Sequence, residues 1–257
     1  MKNVKAYADG AIAAGLAVAL WSFGPAEAAE VKLIGSNALK TALEELAPAF
    51  EKATGHKVAV VWGAAVPLKA RIEMGEAFDL TVLPTPAIED LVSQGKLAAG
   101  TQATLAHSGI GVAVRKGAPK PDIGTTEAFK RALLNAKSIA YVEQGGTGIY
   151  LKALLPRLGL ADALKDRTKL LPPENPAAHA IANGEAELGM TQVSEILPYA
   201  GAELVGPFPA EIQLTTTFAV GIAAGTKEAD VAKALVRFLT APGAGAVFKA
   251  KGLDPAS

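Results

Sequence analysis

Short apolar runs that alternate with amphipathic segments organise this chain. The first apolar run, residues 31–34, leads into a Gly-Ser-Asn turn at 35–37 and then into a helical pattern that Gly55 ends. Ser36 and Asn37 both suit a helix N-cap, because their side-chain oxygens accept from free backbone N–H groups. Such a helix start is either purely structural or a place where those N–H groups meet an anion.

The same alternation repeats along the chain. Strands are predicted at residues 57–62, 79–83, 108–115, 138–142, 187–191 and 215–222. Helices are predicted at 66–74, 87–93, 127–135, from the glycine-rich turn at 145–148 to about 158, and at 177–183, 192–197, 228–240 and 243–251. Alternation at this spacing favours a parallel sheet with helices on both faces. Ligands of such sheets bind at the carboxyl ends of the strands, beside helix N-termini.

Two long apolar strands, at 108–115 and 215–222, are predicted to cross between two halves of the molecule. The predicted fold class is therefore α/β, with two doubly wound α/β lobes joined by two crossover strands. Residues 29–110 form the first part of lobe 1, and residues 111–222 form lobe 2 with a crossover strand at each end. The helices of residues 223–257 return to lobe 1. A ligand that contacts both lobes would favour the closed form by its differential affinity.

The first 28 residues have the pattern of a secretory signal peptide. Lys2 and Lys5 precede a mostly apolar run at 11–23, and Ala26-Glu27-Ala28 fits a small-x-small cleavage site. A retained membrane anchor is the alternative, but the run is shorter than the roughly 20 residues that span a bilayer. We expect a soluble mature protein that is exported to the periplasm.

Composition narrows the function further. The 257 residues carry 25 basic and 25 acidic side chains and few aromatic ones, which disfavours a nucleic-acid partner. Cysteine is absent, and the three histidines have no His-x-x-x-His spacing, so neither a metal nor another cofactor is expected. The sequence also lacks a Gly-x-Ser-x-Gly elbow and a paired acid, so it predicts binding and not catalysis.

Four segments resemble a known family. They are ALEELAPAFEKATG at 42–55, IEMG at 72–75 with Asp79, NGEAELG at 183–189, and FLTAP at 238–242 with Phe248 and Gly252. Together they resemble the periplasmic molybdate-binding proteins and their relatives, within the type II solute-binding proteins of ABC importers, over nearly the whole chain after residue 28. The resemblance implies the type II periplasmic-binding-protein architecture, a monomer, a small-molecule or oxyanion ligand, and an ABC permease of the inner membrane as partner.

The ligand positions of the family differ here. The resemblance places the first serine ligand of molybdate binders at Ala38, their serine pair at Ala64 and Ala65, a small turn residue at Thr147, a further contact near Pro176 and a tyrosine at Gln192. Most of the hydroxyls that hold molybdate are therefore replaced, at a cost of about 1–3 kcal/mol for each missing hydrogen bond. This pattern favours a small organic anion or neutral organic solute. The alternatives are a true molybdate or tungstate binder that uses backbone donors, and a stand-alone periplasmic sensor or carrier.

The candidate ligand-binding residues follow from these patterns. The polar ones are Ser36, Asn37, Thr85, Thr147 and Gln192, and the small ones that shape the site are Ala38, Ala64 and Ala65. Three more are weaker candidates, namely Pro176, Tyr150 and Lys69. Tyr150 either lines the cleft or packs in the core. Lys69, like Arg71, either neutralises a carboxylate of the ligand or is a solvated surface charge.

Overall fold

The computed structural model describes residues 28–256, so nearly all of the predicted signal peptide lies outside the described residues. The strands are β1 (Glu30–Ser36), β2 (Lys57–Gly63), β3 (Leu80–Pro84), β4 (Ala103–Arg115), β5 (Ile139–Val142), β6 (Thr168–Leu171), β7 (Leu188–Gln192), β8 (Ala202–Pro207), β9 (Thr215–Ile222) and β10 (Asp254–Pro255). The helices are α1 (Lys40–Thr54), α2 (Ala65–Glu73), α3 (Thr85–Ser93), α4 (Thr126–Asn135), α5 (Gly146–Arg157), α6 (Ala161–Leu164), α7 (Ala177–Ala182), α8 (Val193–Ile196), α9 (Ala229–Leu239) and α10 (Pro242–Ala250).

The first helix shows how the hydrophobic pattern fixes an element. Its buried side chains, Ala42, Leu43, Leu46 and Phe50, recur every three or four residues and so lie on one face. Gly55 ends the helix in the left-handed conformation at φ 79°, which glycine adopts without steric cost. The apolar face of α1 therefore packs on β1 and β2, and its start is held at the carboxyl end of β1.

The sheet is mixed, which corrects the predicted parallel arrangement. Its strands lie in the order β2-β1-β3-β9-β4-β7-β5-β6, with β8 and β10 paired to β4. β1 runs parallel to β2 and β3, and β5 runs parallel to β6 and β7, as the βα repeats require. β9 is antiparallel to β3 and β4, and β4 is antiparallel to β7. β9 therefore runs opposite to the parallel set β1, β2 and β3, and β4 runs opposite to the parallel set β5, β6 and β7.

The buried side chains form separate cores on either side of this link. We call lobe 1 the residues packed around β1, β2, β3 and α1, with α9 and α10. Lobe 2 comprises those packed around β5, β7, α4 and α5. β4 contributes Leu105 to the first lobe and Ile110 and Val112 to the second. The predicted boundary at residue 110 falls within this strand.

The sequence pattern missed several short elements. β6, β8 and α6 were not predicted, and β4 begins at Ala103 and not at residue 108. β6 has two exposed residues among its four, and β8 contains Gly206 and ends at Pro207, so neither carries a clear alternation. Within residues 28–256, no single helix has the length and apolarity to cross a membrane. Within the same residues, only α9 and α10 taken together are long and apolar enough, and the chain bends by 63° between these two helices.

Candidate functional site

A cavity lies between the two lobes, where strands end and helices begin. Lobe 1 lines it through Ser36 at the end of β1, Pro84 at the end of β3, and Thr216 and Phe218 of β9. The remaining lining residues are Asn37, Ala38, Ala64, Ala65, Val142, Gly145, Gly146, Thr147, Pro173, Pro176, Thr191, Gln192 and Glu195. Its volume is about 70 Å³, well above the roughly 10–15 Å³ that a cavity needs to hold one water molecule. A small ligand therefore contacts both lobes at once.

Helix N-termini surround this cavity. Ala64 is the N-cap of α2, Pro84 that of α3 and Gly145 that of α5, and none of the three side chains accepts a hydrogen bond from its helix. Pro67 of α2 and Pro86 of α3 carry no N–H, and the remaining first-turn N–H groups are left to a ligand or to water. At the end of β1, the Ser36 hydroxyl accepts from the Ala38 N–H at 3.4 Å. Backbone donors and positive dipole ends thus converge without a basic side chain.

The glycine-rich turn of lobe 2 is held by close backbone packing. Thr147 is buried and lines the cavity, and Gly148 follows it in the first turn of α5. A Cβ at Gly148 would overlap the carbonyl oxygen of Val142 and lie 2.5 Å from that of Glu143. Glycine is required here by the approach of the helix to the end of β5, and that approach places Thr147 on the cavity wall.

A carboxyl group lines the same cavity from lobe 2. Glu195 lies in α8, is half-buried, and accepts a hydrogen bond from the Thr191 hydroxyl. Burial raises the pKa of Glu195 above its ordinary value, although the Thr191 hydroxyl and the Gln192 N–H act in the opposite direction. Among residues 28–256, Glu195 is the one titratable side chain that lines the cavity.

Gln192 lies beside this carboxyl at the end of β7. Its amide donates from Nε2 to the Thr216 hydroxyl at 3.2 Å, which links the lobes across the cavity wall. Its Oε1 is buried and has no hydrogen-bond partner within the described part of the chain. A buried acceptor without a partner is costly, so this oxygen calls for a donor from a ligand or from water.

Most of the predicted ligand residues lie together in this cavity. They are Ser36, Asn37, Ala38, Ala64, Ala65, Thr147 and Gln192, with the weaker candidate Pro176. They converge because each of them ends a strand or begins a helix at one edge of the sheet, and their role in binding a ligand stays a prediction.

The structure does not bring Thr85, Tyr150 or Lys69 to the cavity. The Thr85 hydroxyl donates to the Thr217 carbonyl at 3.2 Å, within lobe 1. Tyr150 packs against the lobe 2 core and donates to the Ile212 carbonyl at 2.9 Å. Lys69 forms ion pairs with Glu73 and Asp90 at 2.5 and 2.6 Å. The partners of Thr85 and Tyr150, and Asp90 as a partner of Lys69, are distant in sequence, whereas Glu73 lies four residues after Lys69 in the same helix.

Sequence reasoning missed Glu195, Thr191, Thr216 and Phe218, all of which line the cavity. One signal was available for Glu195, since it follows the predicted strand end at Thr191 by four residues, within the first turn of the next helix. Thr216 and Phe218 lie on a crossover strand, where neither composition nor spacing indicates which face meets the cavity.

Comparisons with known proteins identify the family of this chain and several of its relatives. Residues 31–254 match the model of the bacterial extracellular solute-binding protein family. The chain is 33% identical over 232 residues to the aconitate isomerase of Pseudomonas sp., and the match covers 87% of each chain. It is 27% identical over 233 residues to the molybdate-binding protein ModA of Escherichia coli strain K12, covering 88% of this chain and 90% of that protein.

A solved structure agrees with the fold. The periplasmic molybdate-binding protein of Azotobacter vinelandii superposes with a TM-score of 0.75 at 24% identity, over 88% of this chain and 100% of that one. The predicted α/β architecture and the resemblance to the molybdate-binding-protein family are thereby confirmed.

Proposed function

Since this chain belongs to the bacterial extracellular solute-binding proteins, we propose that it captures a small organic anion, of the carboxylate class, in the cavity between its lobes. The observation that carries the proposal is the set of helix N-termini that open on the cavity without side-chain caps. Donors of this kind bind carboxylate oxygens as they bind phosphate, through N–H groups and the helix dipole.

The lining also supports an organic anion over a bare oxyanion. Ala38, Ala64 and Ala65 present methyl groups where the resemblance to molybdate binders predicts serine hydroxyls. Phe218 of lobe 1 and Val142 of lobe 2 add apolar surface to the cavity. A ligand with a short carbon frame and terminal oxygens fits such a mixture, because its frame contacts the apolar groups while its oxygens reach the helix ends.

We place the capture step in the periplasm, in a chain that acts as a monomer and hands its ligand to an ABC permease. Lobe closure around β4 and β9 would present both lobes to the permease in the liganded form. Family membership and the predicted signal peptide support this role. A stand-alone sensor or carrier would use the same cavity and the same closure without a permease.

A thermal-shift screen tests the ligand class. The mature chain would be heated with molybdate, tungstate and sulfate, and with di- and tricarboxylates that include cis- and trans-aconitate. A ligand at a hundred times its Kd should add about 2.7 kcal/mol to the free energy of unfolding. We expect this shift with a carboxylate. A shift of that size with molybdate and none with any carboxylate would contradict the proposal and favour the oxyanion alternative.

A second function is favoured by Glu195 together with the aconitate isomerase of Pseudomonas sp.. Moving the double bond of aconitate by a proton shift breaks one C–H bond and forms another, so it needs a group that takes a proton and returns it. A carboxyl with a raised pKa that lines the cavity suits this task. This candidate differs from the expectation, drawn from the sequence, that the chain is not an enzyme. A tricarboxylate would also require the lobes to separate slightly, given the size of the cavity.

Proton NMR of cis-aconitate incubated with the chain distinguishes the two functions. An isomerase would convert it to the trans isomer at a rate proportional to protein concentration. Glu195→Gln would abolish the conversion, because an amide cannot accept the proton. Binding of aconitate without any conversion would leave capture as the function and remove isomerisation.

A further inference from the structure

The walls of the cavity differ in what they offer a ligand. The lobe 1 side presents N–H donors at the start of α2, where Ala64 and Ala65 line the cavity. The lobe 2 side also presents two acceptors, the carboxyl of Glu195 and the unpartnered Oε1 of Gln192. Gln192 is only 6% exposed, so bulk water does not satisfy this oxygen. A fully deprotonated anion has acceptors alone and cannot satisfy that wall.

We propose that this chain binds its anion together with one proton, which Glu195 holds in a hydrogen bond to the bound anion. The inference rests on the proposed capture of an anion and adds how the site selects and releases it. A protonated Glu195 donates to the anion, whereas an ionised Glu195 would place a second negative charge against it. Anions that carry a hydroxyl or a second, protonated carboxyl are favoured, since these groups can also donate to Gln192 Oε1.

The position of Glu195 allows the proton to exchange with solvent. Besides the cavity, Glu195 lines a neighbouring and more open vestibule with Lys40, Glu44, Ser194 and Tyr199. Glu195 thus borders both the cavity and this vestibule. A proton taken from water in the vestibule can reach the carboxyl without passing through the ligand.

Four other charged or titratable side chains lie near Glu195. Lys40 and Glu44 of α1 form an ion pair with each other at 3.8 Å, so their opposite charges lie close together. Tyr199 lies in the same vestibule, and its ring is 6.2 Å from that of His179 on α7. The imidazole of His179 is therefore removed in one of the control variants.

Calorimetric titration with trans-aconitate and with molybdate, in buffers of different ionisation enthalpy, measures the proton directly. From about pH 5 to about pH 9, the Kd of the wild type should rise with pH, by up to about tenfold per pH unit above the pKa of Glu195 in the free chain. Proton uptake should approach one per anion in the same range. Glu195→Gln should remove this uptake and leave only the titration of the anion itself.

Two control variants distinguish the effect of Glu195 from the effects of its neighbours. Glu44→Gln makes the same chemical change in the vestibule, and His179→Gln removes the imidazole, so both should keep the proton uptake of the wild type. Wild-type binding without proton uptake, or uptake that persists in Glu195→Gln, would overturn the inference. A wild type that binds none of the carboxylates and oxyanions of the thermal-shift screen at any pH would overturn the capture of anions as well, and the two failures are thus distinguishable.

Discussion

The triple variant Ala38→Ser/Ala64→Ser/Ala65→Ser is expected to bind molybdate at least about tenfold more tightly than the wild-type chain. The three alanines line the cavity at positions where the resemblance to molybdate binders predicts serine ligands. A hydrogen bond to a charged acceptor contributes about 1.5–3 kcal/mol, so even one productive hydroxyl gives this gain. The added hydroxyls should weaken the binding of carboxylates whose carbon frame contacted the methyl groups.

Thermal shift and calorimetry with molybdate, against the same screen on the wild type, measure the change. Ala70→Ser is the matched control, because Ala70 lies exposed on α2 and does not line the cavity. It reproduces the small loss of helix propensity without adding a donor to the site. Unchanged molybdate affinity in the triple variant would mean that these alanines do not occupy the ligand positions inferred from the resemblance.

Periodicity sufficed for the βα repeats because long segments carry the signal several times over. The buried apolar positions of α1 recur from Ala42 to Phe50, and the run at β1 is bounded by a capping turn. The direction of the strands was harder to predict from the sequence. β9 pairs antiparallel with β3 and β4 only because the chain returns from lobe 2 at that point, and an apolar strand reads the same in either direction.

The candidate site was predictable where it depends on topology and unpredictable where it depends on partners. Ser36 and Gln192 end strands at one edge of the sheet, so their convergence follows from the α/β architecture. Lys69 was a candidate because its charge could meet an anion, but Asp90, which lies 21 residues away in sequence, already neutralises it. Glu195 was missed for the converse reason, since its burial comes from the packing of α8 between the lobes.

Two glycine substitutions in one turn are expected to change stability in opposite directions. Gly148→Ala should lower the free energy of unfolding by about 1–3 kcal/mol or more, because its Cβ would overlap the backbone of Val142 and Glu143, which cannot move aside as a flexible side chain could. Gly146→Ala should raise it by about 0.4–1 kcal/mol, since nothing lies within 4 Å of the added Cβ and the unfolded chain loses freedom.

Urea unfolding of both variants and the wild type measures this difference, with equal m-values as the check that only stability has changed. Gly148→Ala should also weaken the ligand found in the screen by about tenfold or more, because a shift of that turn moves Thr147 off the cavity wall and displaces the first N–H groups of α5. Equal stability of the two variants would mean that α5 does not approach the end of β5 as closely as described. Lost stability with unchanged affinity would mean that the turn supports lobe 2 without contacting the ligand.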